Sequence, residues 1–218
     1  MTDIKENIEE VTYSRYLTRL FEICYECNHE NYLAEIVIPL FRECCCENTK
    51  IVPVFDDRKT GPKTENKTDA IKRMETIYGS KEDEEYTVPD YLFVSKDYSF
   101  FNPQKPIIIV ETKKPILIYK NNKTYYREFS VTDYESQLLK DIRNCTPVIF
   151  TDGITWMFLK EDEMGHLVDE NRFEPIRLVQ LGNKYYECKE IINAPDKISE
   201  WNELKERIRQ LLIEKTKK

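Results

Sequence analysis

Glycine is scarce in this chain, five residues in 218, and neither GxGxxG nor GxxxxGKS occurs. Loops that wrap backbone amides around phosphates depend on those glycines, so a nucleotide-binding loop is not expected. Long apolar runs are missing as well. Stretches such as IIIV at 107–110 last only a few residues, against the roughly 20 that span a bilayer. The opening MTDIKENIEEVTYSRY is acidic and holds no apolar h-region, so no signal peptide is expected and the expected compartment is cytoplasmic, with no membrane partner. Internal repeats are lacking.

Seven cysteines are present, but their spacing is incomplete for a metal site. Cys24 and Cys27 form one CxxC inside a helical pattern, and the triplet Cys44-Cys45-Cys46 supplies no second. Structural zinc sites usually pair two such motifs across turns. An odd number of cysteines without a secretory signal points to reduced thiols, and cysteine packs well as a small core residue. A zinc or iron–sulfur module stays open as the lesser reading.

What remains is the composition of one medium globular domain: 40% hydrophobic and 33% charged residues. The net charge of −7 opposes a protein that coats nucleic acid nonspecifically. One segment breaks that rule. From Lys113 to Arg127 the chain carries five cations and no acid, with Tyr119, Tyr125 and Tyr126 interleaved. Cations track phosphates and aromatics stack on bases, so Lys114, Lys120, Lys123 and Arg127 are candidate nucleic-acid contacts. A solvated hairpin with amphipathic lysines is the plainer account of the same residues.

Periodicity predicts a helix from about Ile4 to Tyr25, broken at Asn28-His29, and a second from about Glu30 to Cys46 with Pro39 inside it. Short strands are expected at 51–55, 87–95 and 106–113, with a turn-rich loop at 56–69 and a short helix at 69–79. Thr132 or Asp133 is a plausible N-cap for a helix to about Asn144. Pro147–Phe150 and Ile154–Leu159 read as paired strands around Thr151-Asp152-Gly153. Glu174–Leu181 and Lys184–Cys188 read as a further hairpin, and a charged helix starts near Ser199. Leading helices, a sheet core and a crossing helix make a mixed α/β layer fold.

The chemistry concentrates at Pro89-Asp90 and at Ile107–Lys113. Side chains two apart in a strand share a face, so Glu111 and Lys113 leave the same side while Thr112 points away. If the strand after Pro89 pairs with this one, Asp90 arrives beside Glu111. Two carboxylates and an amine form a site for a hard cation, with a lysine beside its bound water. An ordinary strand-end ion pair is the plainer reading of Glu111 and Lys113.

Pro89-Asp90 followed by Glu111-Thr112-Lys113 resembles the PD-(D/E)XK nuclease superfamily. Within it, the chain is similar to the N-terminal nuclease domain of type I restriction enzyme motor subunits and its stand-alone relatives. The helix ENYLAEIVIPLF, Gln137 in YESQLLKDI and TPVIFTDGITWMFLK extend the resemblance over about residues 28–160. It implies a restriction-endonuclease-like core, a mixed central β-sheet flanked by helices. N-terminal helices precede this core, and the C-terminal strands and helix at 170–218 form an appendage. It also implies that Asp90 and Glu111, helped by the Thr112 carbonyl, ligate Mg²⁺ or Mn²⁺. Lys113 would orient or deprotonate the attacking water. Gln137 would support the site, although the aromatic often found four residues later is here Asp141. Many relatives add an early-helix glutamate. At about 100° per residue, Glu30 falls within the apolar arc of Leu33, Val37, Leu40, Phe41 and Cys44, and Glu35 falls nearly opposite, which favours Glu30. The implied activity is endonucleolytic hydrolysis of DNA in restriction or defence, with RNA as the nearest rival substrate. Partner subunits or a homodimer stay open. The alternative is a catalytically silent nuclease-like module that binds nucleic acid or protein.

Overall fold

The computed structural model describes residues 11–26, 33–54, 89–99, 104–127, 146–161, 167–169, 174–178, 186–187 and 197–217. Helix α1 spans Tyr13–Glu26 and α2 spans Ala34–Cys44. Strands β1 (Thr49–Pro53), β2 (Tyr91–Ser95) and β3 (Ile108–Thr112) follow. Next come β4 (Ile116–Lys120), β5 (Lys123–Arg127), β6 (Val148–Thr151) and β7 (Thr155–Glu161). The short strands β8 (Leu167–Asp169), β9 (Ile176–Arg177) and β10 (Tyr186–Glu187) precede α3 (Ile198–Thr216).

The main sheet runs β1-β2-β3-β6-β7-β8, with β9 also paired to β7. Its one parallel junction among the described residues is β3 with β6; the other neighbours are antiparallel. Every residue of β3 and of β6 is buried, as expected of short β-branched runs covered on both faces. Strict alternation separates two cores. Tyr91, Phe93, Ile108, Val110, Ile149, Trp156 and Phe158 face one side; Leu92, Val94, Ile109, Val148, Phe150 and Leu159 face the other.

Helices cover the first side. Tyr16, Leu17, Leu20 and Phe21 of α1 and Val37, Leu40, Phe41 and Cys44 of α2 recur at helical spacing and join that core. Phe41 sits at its centre, edge-on to Phe93 at 5.2 Å and to Trp156 at 5.8 Å. The C-terminal helix, expected as part of an appendage, lays Trp201, Leu204, Ile208, Leu211 and Leu212 into the same cluster. The α/β architecture, a mixed sheet flanked by N-terminal helices and a C-terminal helix, is therefore as the sequence implies. No helix among the described residues is long and apolar enough to cross a membrane.

Several boundaries differ from expectation. Helix α1 starts at Tyr13 because Thr12 caps it, with the Arg15 amide donating to its Oγ1 at 3.4 Å and the Tyr16 amide to its carbonyl. Strand β2 starts at Tyr91, since Pro89 has no amide to donate and the Asp90 side chain takes over the Thr112 amide. Among the described residues, the hairpin expected across 174–188 does not form. Strand β9 joins β7, where Ile176 enters the helix-side core opposite Trp156; β10 instead joins β5, opposite Tyr126. The expected loop at 56–69 and helices at 69–79 and 133–144 lie outside the described residues.

Candidate metal and catalytic site at the ends of β2 and β3

Strand β2 pairs with β3 so that Tyr91 stands opposite Val110. Asp90 lies just before the first registered pair, beside the end of β3 that carries Glu111 and Thr112. On the other flank Glu111 is in register with Phe150 of β6, so its carboxylate rises against an apolar wall and is only 3% exposed. Burial of that kind demands a partner. Lys113 supplies one, its Nζ donating to Glu111 Oε1 at 2.5 Å. The backbone of Lys113 is fixed in turn, its amide donating to the Thr151 carbonyl at 2.8 Å.

Asp90 is held differently. Its Oδ2 accepts from the Thr112 amide at 2.7 Å and from the Thr112 hydroxyl at 2.6 Å. Its Oδ1 is engaged by no described residue. The carboxylate is thus clamped through one oxygen with the other available, the arrangement that a ligand to a hard cation needs.

The donor set suits magnesium or manganese. Such ions take one or two carboxylates and complete their shell with water and phosphate oxygens, and Asp90 and Glu111 are the carboxylates that could serve. No group of three or more histidine, cysteine, aspartate or glutamate side chains comes together among the described residues. Asp90 is thus joined to Thr112, and Glu111 to Lys113. Gln137 and Glu30 lie outside the described residues. Glu35 is exposed and pairs with Arg19 Nη2 at 3.1 Å, which agrees with its position opposite the apolar arc.

Among the basic candidates, Lys114 precedes β4, Lys120 and Lys123 close the β4–β5 hairpin, and Arg127 ends β5. Lys120, Lys123 and Arg127 are exposed and Lys114 is half-buried. One expectation there is overturned. Tyr126 cannot stack on bases, because it is fully buried and its hydroxyl donates to Asp152 Oδ2 at 2.7 Å.

That contact belongs to a buried cluster which sequence reasoning took for a plain turn. Asp152 Oδ1 accepts from the amides of Ile154 and Thr155 at 2.9 and 2.8 Å. Burial pushes the Asp152 carboxyl up to about 6, while the Thr155 amide, the Tyr126 hydroxyl and the Ile154 amide pull the other way. The adjoining Gly153 has φ +85, and its carbonyl accepts from Tyr16 Oη at 2.9 Å. A second hub, Glu43, gathers Lys205 Nζ at 3.0 Å, Arg209 Nη2 at 3.5 Å and the Val11 amide at 3.1 Å, tying α2 to α3. The sequence signal for Glu43 was faint: one of two acids on a largely apolar helix. The Cys44 thiol is pushed up to about 12 and the Cys45 thiol to about 11, chiefly by burial, so both are poor nucleophiles.

Comparison with family models, with curated proteins and with solved structures finds no match. The site therefore rests on its own geometry.

Proposed function

We propose that the chain is a metal-dependent endonuclease that hydrolyses phosphodiester bonds, with DNA as substrate. One observation carries the reading. Asp90 Oδ2 is held by the Thr112 amide and hydroxyl at 2.7 and 2.6 Å, and the flanking residues of Thr112 in the chain, Glu111 and Lys113, pair with each other at 2.5 Å. The Pro89-Asp90 and Glu111-Thr112-Lys113 resemblance to PD-(D/E)XK nucleases supports the same chemistry.

In this reading Asp90 Oδ1 and the Glu111 carboxylate would hold Mg²⁺ or Mn²⁺. When bound, such an ion lowers the pKa of its water and offsets charge building on the phosphoryl oxygens. Thr112 keeps Asp90 turned toward the site through its amide and hydroxyl. The apolar wall at Phe150 limits water around Glu111. Lys113 would orient the attacking water or take its proton at Nζ. The water oxygen bonds to phosphorus, one ester P–O bond breaks, and the leaving oxygen is protonated from solvent.

A specific feature favours a second reading, a silent module: each carboxylate already has a protein donor, Thr112 for Asp90 and Lys113 for Glu111. One experiment separates the two. Plasmid, single-stranded DNA and RNA are incubated with the protein in Mg²⁺, Mn²⁺ or EDTA, beside Asp90→Ala and Lys113→Ala. Metal-dependent DNA cleavage lost in both variants is the expected result. Intact nucleic acid in every lane, with binding retained, would establish the silent module instead.

A further inference from the structure

The basic hairpin begins three residues after the catalytic lysine position: Lys114 and Pro115 follow Lys113, and β4 starts at Ile116. Five-residue strands give each arm a length of about 17 Å, and because β10 pairs with β5 at Tyr125 and Tyr126, the ribbon is two-stranded toward its tip. The arm's length is the axial length of roughly five base pairs at 3.4 Å each. Grip and cut would then fall within about half a turn of a duplex.

Register sorts the hairpin's side chains. The pairs Ile116–Arg127, Ile118–Tyr125 and Lys120–Lys123 share one face, and Leu117–Tyr126 lies on the other. Tyr126 pins that other face to Asp152. The first face packs Ile116 against the second core at its base, while Lys120 and Lys123 at the tip and Arg127 beside the base are exposed, with Tyr125 half-buried between them. The charge is local: the chain is −7 overall and the segment 113–127 is +5, so the remainder is −12.

The tip is narrow. Asn121 and Asn122 have φ of 53 and 58, the two-residue left-handed turn that fits the twist of antiparallel strands. It presents two exposed side-chain amides between two lysines. The B-DNA major groove, about 12 Å wide, admits a two-stranded β-ribbon, and asparagine pairs there with adenine. The major groove of an RNA duplex is too deep and narrow for such entry.

We propose that the β4–β5 hairpin is a groove-entering arm that selects duplex DNA, with Lys120, Lys123 and Arg127 on phosphates and Asn121 and Asn122 at base edges. It rests on the nuclease reading only for its proximity to a cutting centre. The test is therefore binding without metal: fluorescence anisotropy in EDTA against a DNA duplex, the RNA duplex of the same sequence and the DNA single strand, across a salt series. The DNA duplex is expected to bind at least about tenfold more tightly than either competitor. Lys120→Gln/Lys123→Gln is expected to weaken binding and lower the salt slope by about 2. Asn121→Gly/Asn122→Gly keeps the positive φ and is expected to retain the slope while losing preference among duplex sequences. Far-ultraviolet circular dichroism checks that the variants fold. Equal affinity for DNA and RNA duplexes, or a salt slope unmoved by the double lysine change, overturns the proposal. Uncut DNA in Mg²⁺ with these binding results intact overturns only the nuclease reading.

Discussion

The Thr112 hydroxyl donates to Asp90 Oδ2 at 2.6 Å, alongside the Thr112 amide at 2.7 Å. One residue thus fixes the orientation of an acid 22 positions earlier. Thr112→Val removes the hydroxyl and keeps the amide and the shape. It is expected to cost about 1–2 kcal/mol in urea denaturation and to lower metal-dependent cleavage. Thr112→Ser restores both. Equal cleavage by the valine and serine variants would show that the hydroxyl does not position Asp90.

Lys113 serves Glu111 as well as the proposed water. Its side chain is 15% exposed and that of Glu111 4%, so removing the ammonium strands a buried charge. Lys113→Ala is expected to lose about 10²–10⁴ in cleavage rate and, without metal, on the order of 3 kcal/mol of stability. Adding Glu111→Gln to it should recover stability but not cleavage. A double variant no more stable than Lys113→Ala would remove the ion pair from the account.

Asp152 gives the fold a pH dependence of defined sign. Its ordinary value is 3.8, and burial raises it to about 6 in the folded chain. Between those values the folded state keeps a proton that the unfolded state has lost. Its stabilising contribution is complete below about pH 4 and disappears as pH rises through about 6. Asp152→Asn abolishes the titration. Comparing urea midpoints, wild type should lose up to about 3 kcal/mol relative to the variant between pH 4 and 7. Parallel pH profiles would refute this.

Gly153 tolerates no side chain. At φ +85 an L-residue is strained, and a Cβ would lie 2.9 Å from Leu20 Cδ1 and 3.3 Å from Tyr16 Oη. Gly153→Ala is expected to destabilise by about 1–3 kcal/mol and to loosen α1, read as faster amide exchange at Leu17 and Leu20. Unchanged exchange with lowered global stability would place the cost in the turn alone.

The legible parts of the sequence were those governed by periodicity. The β-branched run at Ile107–Val110 gave β3, and its alternation of two foretold that Glu111 and Lys113 would share a side. The turn at Thr151-Asp152-Gly153 gave β6 and β7. The rest depended on contacts without periodic signature. Two-residue strands such as β9 and β10 follow whichever edge offers an apolar neighbour, here Trp156 and Tyr126. Consecutive tyrosines in a basic stretch look alike on paper, yet register turned Tyr125 outward and Tyr126 into the core. The Asp90–Thr112 clamp needed the bend at strand entry, which Pro89 sets and which no propensity encodes.

Helix α1 is docked in large part by distant chain. Tyr16 reaches the Gly153 carbonyl 137 positions away, and Tyr13 reaches the Leu178 carbonyl 165 positions away. During synthesis this segment emerges before the turn at Gly153 and the strand end at Leu178 that complete its shelter, so closure over long sequence separations is expected to slow the folding of the domain.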